Sequence, residues 1–166
     1  MIGEVVVRDP SALRSAVEML FARFDGGGHT GDGVLEGVTP RHTVLDLADV
    51  PEAERRPVLA QITETKLPGP PQHLVLRRYV RGGYAPPHRF ADEAPDGSRS
   101  AWTVLCPLQD SAVDAVTYWA GDHFARGFDR AGTGLRLPQD AWCWTSPVRG
   151  DQRCTLGIGG GTLWTS

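Results

Sequence analysis

An imidazole at His88, a thiol at Cys143 and a guanidinium at Arg153 are the groups of this 166-residue chain best placed to do chemistry. Each sits in or beside a short apolar run of strand composition, so each is expected to face a packed interior or a pocket. A histidine in such a place moves a proton, holds a metal or satisfies a core hydrogen bond. A cysteine there is a small buried hydrophobe, a nucleophile or a soft metal ligand. An arginine enclosed by strands needs an anion, and between Asp151 nearby and a ligand's carboxylate we favour the ligand.

Other chemistries are disfavoured. Gly26, Gly28 and Gly31 form a G-x-G-x-x-G, but the motif needs a strand before it and a helix after it, and here a helix leads into a loop. That loop reads as a surface segment, one that could cover a site. There is no Cys-x-x-Cys or His-x-x-x-His pair, which argues against structural zinc. Cys106, Cys143 and Cys154 are an odd number without paired spacing, and Met1 opens no basic segment followed by an apolar run, so a reduced, cytoplasmic protein without a membrane span is expected. A formal charge of -3 gives no reason to expect nucleic acid as a partner.

The elements that must position these groups follow from pattern. Ile2 to Arg8 reads as a short strand, and Asp9 or Ser11 caps a helix carrying Leu13, Ala16, Val17, Leu20 and Phe24 on the face turned to a sheet. His42 to Leu47 reads as a strand, Pro51 to Thr63 as a helix, the Pro-rich 67 to 71 as a rigid connection, and His73 to Val80 as a core strand. Trp102 to Leu108 and Val113 to Trp119 are further strands between turns, with Trp102 and Trp119 in the core or on a pocket wall and His123 in a loop. Residues 141 to 158 read as a β-hairpin turning on Arg149, Gly150 and Asp151. Trp142 and Trp144 are expected to pack beneath the first helix, on the side of Cys154, Leu156 and Ile158. The parity that separates Cys143 from Cys154 argues against a disulfide.

With 40% hydrophobic residues, one domain over 1–166 is expected, a helical lead-in with short strands over 1–72 followed by a β core over 73–166. Helices first and short strands afterwards fit a mainly β jelly roll with flanking helices, and equally other sandwiches or a cupin.

Two motifs select among these. S-P-V-x-x-x-x-R-x-T at 146–155, with aromatic residues just ahead, and YVRGGYAPPHRF at 79–90 resemble the 2-oxoglutarate and iron(II) dependent oxygenases of the prolyl-hydroxylase-like type. The resemblance covers roughly residues 73 to 160. It implies a double-stranded β-helix with N-terminal helices buttressing one sheet. It also implies Arg153 and Thr155 on the far carboxylate of 2-oxoglutarate, Tyr79 as an aromatic contact to it, Gly82 and Gly83 as a bend, and His88 as the first metal ligand. Where the family has its acidic ligand this chain has Phe90, and where it has its distal histidine this chain has Cys143. Some relatives that transfer halide replace the acid by a very small residue; a benzyl ring does the opposite. Asp92 and Glu93 are the nearest acids that a bulge would bring in. With two of three ligands changed, weak or no iron binding in the usual mode is expected.

The reading reached from sequence is a small-molecule tailoring enzyme on an oxygenase-like scaffold, performing a metal-independent cyclisation, isomerisation or elimination in a biosynthetic pathway. His88, Cys143 and Tyr84 are its candidate catalytic residues. Tyr79, Arg153 and Thr155 are candidate binders of an anionic or carbonyl group, and Tyr79, Tyr84 and Phe90 shape an apolar wall. No cofactor is favoured, and His88 is the sole candidate for a weakly held metal. The alternatives are a working oxygenase with Fe(II), 2-oxoglutarate and rearranged ligands, or a non-catalytic ligand-binding protein. Partners are a small molecule, no nucleic acid and no membrane; a homodimer is compatible with all of this.

Overall fold

The computed structural model describes residues 3–24, 42–89, 99–138 and 141–163, without the side chains of 88, 89, 99, 162 and 163. In chain order the elements are β1 (Glu4–Val5), α1 (Pro10–Arg23), β2 (His42–Asp46), α2 (Glu52–Leu59), β3 (His73–Val80), β4 (His88–Arg89), β5 (Arg99–Pro107), β6 (Ala115–Trp119), β7 (Phe124–Phe128), β8 (Thr133–Leu137), β9 (Trp142–Thr145) and β10 (Gln152–Leu163). The glycine-rich loop at 26–33, Phe90, Asp92 and Glu93 lie outside the described residues.

The strands form two antiparallel sheets, six strands in the order β1-β8-β5-β10-β3-β2 and four in the order β4-β9-β6-β7. From β3 onward the chain passes back and forth between the sheets, with only the β6–β7 hairpin staying in one, which is the winding of a jelly roll. The fold class is as the sequence implied.

Both helices belong to the large sheet. Asp9 accepts a hydrogen bond from the Ala12 amide at 2.9 Å, Pro10 opens α1, and Leu13, Val17, Leu20 and Phe21 are buried. They share one core with Leu76 of β3, Trp102, Val104 and Cys106 of β5, and Cys154, Leu156 and Ile158 of β10. Arg78 adds its guanidinium over the Phe21 ring at 4.8 Å. Gly160 is needed where it stands: a Cβ there would meet the Pro70 carbonyl oxygen and the Trp102 ring, both at 2.4 Å. The second helix is shorter than its pattern suggests: past Leu59 the bonds span three residues, Gln61 N–H to the Val58 carbonyl and Ile62 N–H to that of Leu59.

Residues 141–158 do not form the expected hairpin. β9 pairs with β4 and β6 in the small sheet, whereas β10 pairs with β3 and β5 in the large one. Pro147 interrupts the strand, and the connecting backbone bonds to the bend after β3 instead: Val148 N–H to the Gly83 carbonyl, Gly82 N–H to that of Val148, and Arg81 N–H to that of Asp151. Gly82 makes that bend with φ +77°.

Trp142 and Trp144 are accordingly not beneath α1. They stand with Trp119, Phe124 and Pro87 around a groove of about 310 Å³ on the outer face of the small sheet, where Trp142 is 47% exposed. Trp102 does lie in the helix-side core, so the two tryptophans expected in core or pocket wall part company. His123 sits exposed at the tip of the β6–β7 hairpin, bonded to Asp122 at 2.5 Å.

No disulfide joins any of the three cysteines, and all are buried. Burial pushes the Cys106 thiol up to about 12. Native protein held near the ordinary thiol pKa of about 8.5 is therefore expected to leave Cys106 unalkylated until denaturant is added. Mass spectrometry of iodoacetamide-treated protein checks this, and rapid native labelling of Cys106 would contradict the burial.

Candidate functional site

Alternation along β10 decides which side chains enter the space between the sheets. Cys154, Leu156 and Ile158 turn to the helices, so Arg153 and Thr155 turn the other way, and both are 1% exposed. Tyr79 lies opposite Arg153 in register on β3, with its ring 5.5 Å from the guanidinium carbon and stacked on the His42 imidazole at 5.2 Å.

The small sheet supplies the facing wall. Cys143, 1% exposed, packs with Val116, Leu105 and Leu137, residues drawn from both sheets. His88 is its partner in register on β4, and Tyr118 its partner on β6. Tyr79 and Cys143 are near enough across the gap for an ionised Cys143 to raise the Tyr79 pKa, a smaller effect than its burial. Cys143 and Arg153 are therefore both buried, with position 88 in backbone register beside Cys143. Tyr84 is half-buried between the buried Gly83 and Ala85, and Ala85 is tied to β9 by its N–H to Thr145 Oγ1 at 2.7 Å.

The anion bonded to Arg153 is not Asp151, which pairs with Arg81 at 2.7 Å. It is Asp129, 2% exposed, at the end of β7. Arg153 Nε donates to Oδ2 at 2.6 Å and Nη2 to Oδ1 at 2.7 Å, a bidentate pair along one edge of the guanidinium. Gln109 completes it, donating Nε2 to Asp129 Oδ2 at 2.8 Å while its Oε1 accepts from the Cys154 N–H at 2.7 Å. Burial opposes the charge on Arg153, but the bonds to and the charge of Asp129 outweigh it and raise its pKa. Because the chain brings a carboxylate of its own to one edge of this arginine, burial alone does not call for an external one.

Asp129 and Gln109 were not singled out in the sequence. The one sign was parity: Ala125 and Gly127 face inward on β7 opposite Tyr118 and Val116, and position 129 continues that face. His42 was seen only as the start of a strand.

Two side-chain donors on this face of β10, Arg153 Nη1 and Thr155 Oγ1, are buried without a hydrogen-bond partner among the described residues. Buried donors in native structures are nearly always satisfied, so each lacks the acceptor such a group ordinarily has.

Tyr79 is the other group whose environment matters. Desolvation holds its phenol above the ordinary value of 10.0, against the opposing charges of Arg77 and Arg153. The unfolded chain then releases the proton first, so stability is full below about 10 and declines as the pH rises above that value. Tyr79→Phe is expected to flatten this alkaline decline in urea titrations; equal declines in both proteins would place the phenol in solvent.

No family model matches the chain, and no curated protein sequence is similar to it. Solved structures are similar in fold. The non-heme alpha-ketoglutarate dependent carbocyclase SnoK from nogalamycin biosynthesis aligns with a TM-score of 0.64 at 15% identity, over 90% of this chain and 73% of that one. AviO1 from Streptomyces viridochromogenes gives 0.60 at 17%, over 97% and 90%. A prolyl-4-hydroxylase from Pseudomonas putida gives 0.57 at 14%, over 95% and 91%. At these identities the likeness is one of fold: the chain has the architecture of the 2-oxoglutarate oxygenases.

Proposed function

We propose that this chain is a small-molecule enzyme working between its two sheets without iron and 2-oxoglutarate, catalysing a cyclisation, isomerisation or elimination in a biosynthetic pathway. The observation that carries the reading is the pairing of Arg153 with Asp129. The resemblance gives that arginine to the far carboxylate of a co-substrate, and here a carboxylate of the chain is bonded to it along a whole edge.

The donor set points the same way. An iron site of this kind takes two imidazoles and a carboxylate, whereas the strand position opposite His88 offers a thiol, and Phe90 offers no electron pair. These residues do not fit the ion or the co-substrate.

What the interior does offer suits proton transfer without net oxidation. Arg153 Nη1 and Thr155 Oγ1 would hold a substrate oxygen and polarise the carbon next to it. His88 would take a proton from one carbon and return it to another, and Tyr79, kept protonated by burial, would donate a hydrogen bond to charge as it develops. Cys143, Tyr84 and Phe90 would shape the apolar wall. SnoK is described as a carbocyclase, so ring closure on this architecture has a precedent at the level of fold. Among the described residues no helix is long and apolar enough to cross a membrane; we place the enzyme in the cytoplasm, as one domain.

The test has two arms. Protein loaded anaerobically with Fe(II) and 2-oxoglutarate is expected to show no visible charge-transfer band, and on admission of oxygen no succinate. In the producing host, His88→Ala is expected to cut product formation by about 10²–10⁴-fold with the protein still accumulating folded. A band and succinate would establish the oxygenase instead. Unchanged output from the His88 variant, with Arg153 variants losing ligand, would leave a binding protein.

A further inference from the structure

Arg153 presents two edges, and they are in different states. The edge of Nε and Nη2 is filled by both oxygens of Asp129, one of which also accepts from Gln109. The corner at Nη1 is buried and open, and Thr155 Oγ1, two residues along on the same face of β10, is buried and open with it. Asp114, close enough to act on Arg153, is itself engaged by Ser111 Oγ at 2.9 Å and the Arg149 N–H at 3.2 Å, so a second carboxylate already lies near.

The charge of the guanidinium is thus answered within the chain. A ligand carboxylate arriving at Nη1 would meet one cation already neutralised, with Asp129 on the adjacent edge repelling it in a site that water does not screen. A neutral acceptor would gain the same two hydrogen bonds and meet no such repulsion.

We propose that Asp129 is a built-in counterion occupying the carboxylate seat of Arg153, and that Arg153 Nη1 with Thr155 Oγ1 forms a subsite for an uncharged carbonyl oxygen, as in a ketone, ester or quinone, and not for a carboxylate. This deepens the function proposed above at one subsite and rests on it only for the ligand being a small molecule.

The full-length protein is titrated with glutarate, acetate and acetamide while melting temperature and the Arg153 side-chain ¹⁵N resonances are followed. Wild type is expected to ignore both acids at millimolar concentration and to shift its Arg153 resonances with acetamide; silence toward acetamide would overturn the carbonyl subsite. Asp129→Ala, with the seat vacated, is expected to gain about 10–150-fold in affinity for glutarate and acetate, and its melting temperature to rise more with either acid than with acetamide. Adding Arg153→Met to Asp129→Ala removes that response. Should Asp129→Ala fold only when glutarate or acetate is present, the proposal is supported equally. Should it not fold at all, Asp129→Asn restores the net positive charge in an isosteric frame and is expected to show a glutarate response that wild type lacks. Glutarate shifting the wild-type Arg153 resonances would overturn the proposal, and so would variants as indifferent to anions as wild type. Neither result depends on iron or turnover, so the proposed function, tested by succinate formation and by His88→Ala, can fail while this inference stands.

Discussion

Asp129→Ala is expected to destabilise the protein by about 3–5 kcal/mol, the cost of leaving a buried charge without its partner. For a chain of this length that corresponds to a fall in melting temperature of about 6–20 °C. The size follows from where Arg153 lies: its side chain and that of Asp129 are each 1% exposed, so neither can recover its lost bonds from bulk water. Gln109 is affected too, because its amide would lose an acceptor while its other end stays fixed to the Cys154 N–H. The double variant Arg153→Met with Asp129→Leu should recover most of the loss, since burying a charge pair costs desolvation that two apolar side chains avoid. Urea unfolding of the three proteins separates these terms. A loss under about 1 kcal/mol for Asp129→Ala would mean that water reaches the pair and that the charge is solvated after all.

The same pair shows what could and could not be read from the sequence. Strand and helix placement rested on local pattern, and it held where one face meets a core. β3 spans the eight residues from His73 to Val80 expected of it, and α1 buries Leu13, Val17 and Leu20 as its spacing required. Pattern of this kind reports which side of a strand is apolar but is silent on which sheet the strand joins. That is why β9 and β10, contiguous and both rich in strand formers, were read as a hairpin although Pro147 sends them to opposite sheets. The motif resemblance singled out Tyr79, Cys143 and Arg153, all of them buried, because it carries long-range information that periodicity lacks. Asp129 escaped both kinds of reading: it lies at a strand end, 24 residues from Arg153, in a stretch the motifs do not include.

Phe21→Ala, set beside Trp142→Ala, tests the assignment of the helices to the large sheet. Phe21 is 1% exposed, shares the core with Leu76 and Leu156, and lies beneath the Arg78 guanidinium. Deleting its ring removes the transfer free energy of the side chain and leaves a cavity under α1, a loss of about 3–5 kcal/mol. Trp142 is the larger residue, yet it is nearly half exposed on the outer face of the small sheet, where no helix covers it among the described residues. Its replacement should cost about 1 kcal/mol or less, within the range of surface substitutions away from a core. Were the tryptophans of β9 packed beneath α1, as their spacing first suggested, the order would reverse and Trp142→Ala would be the more damaging change. Chemical denaturation of the two variants decides between the arrangements, because the outcomes differ in sign and by more than the uncertainty of the extrapolation.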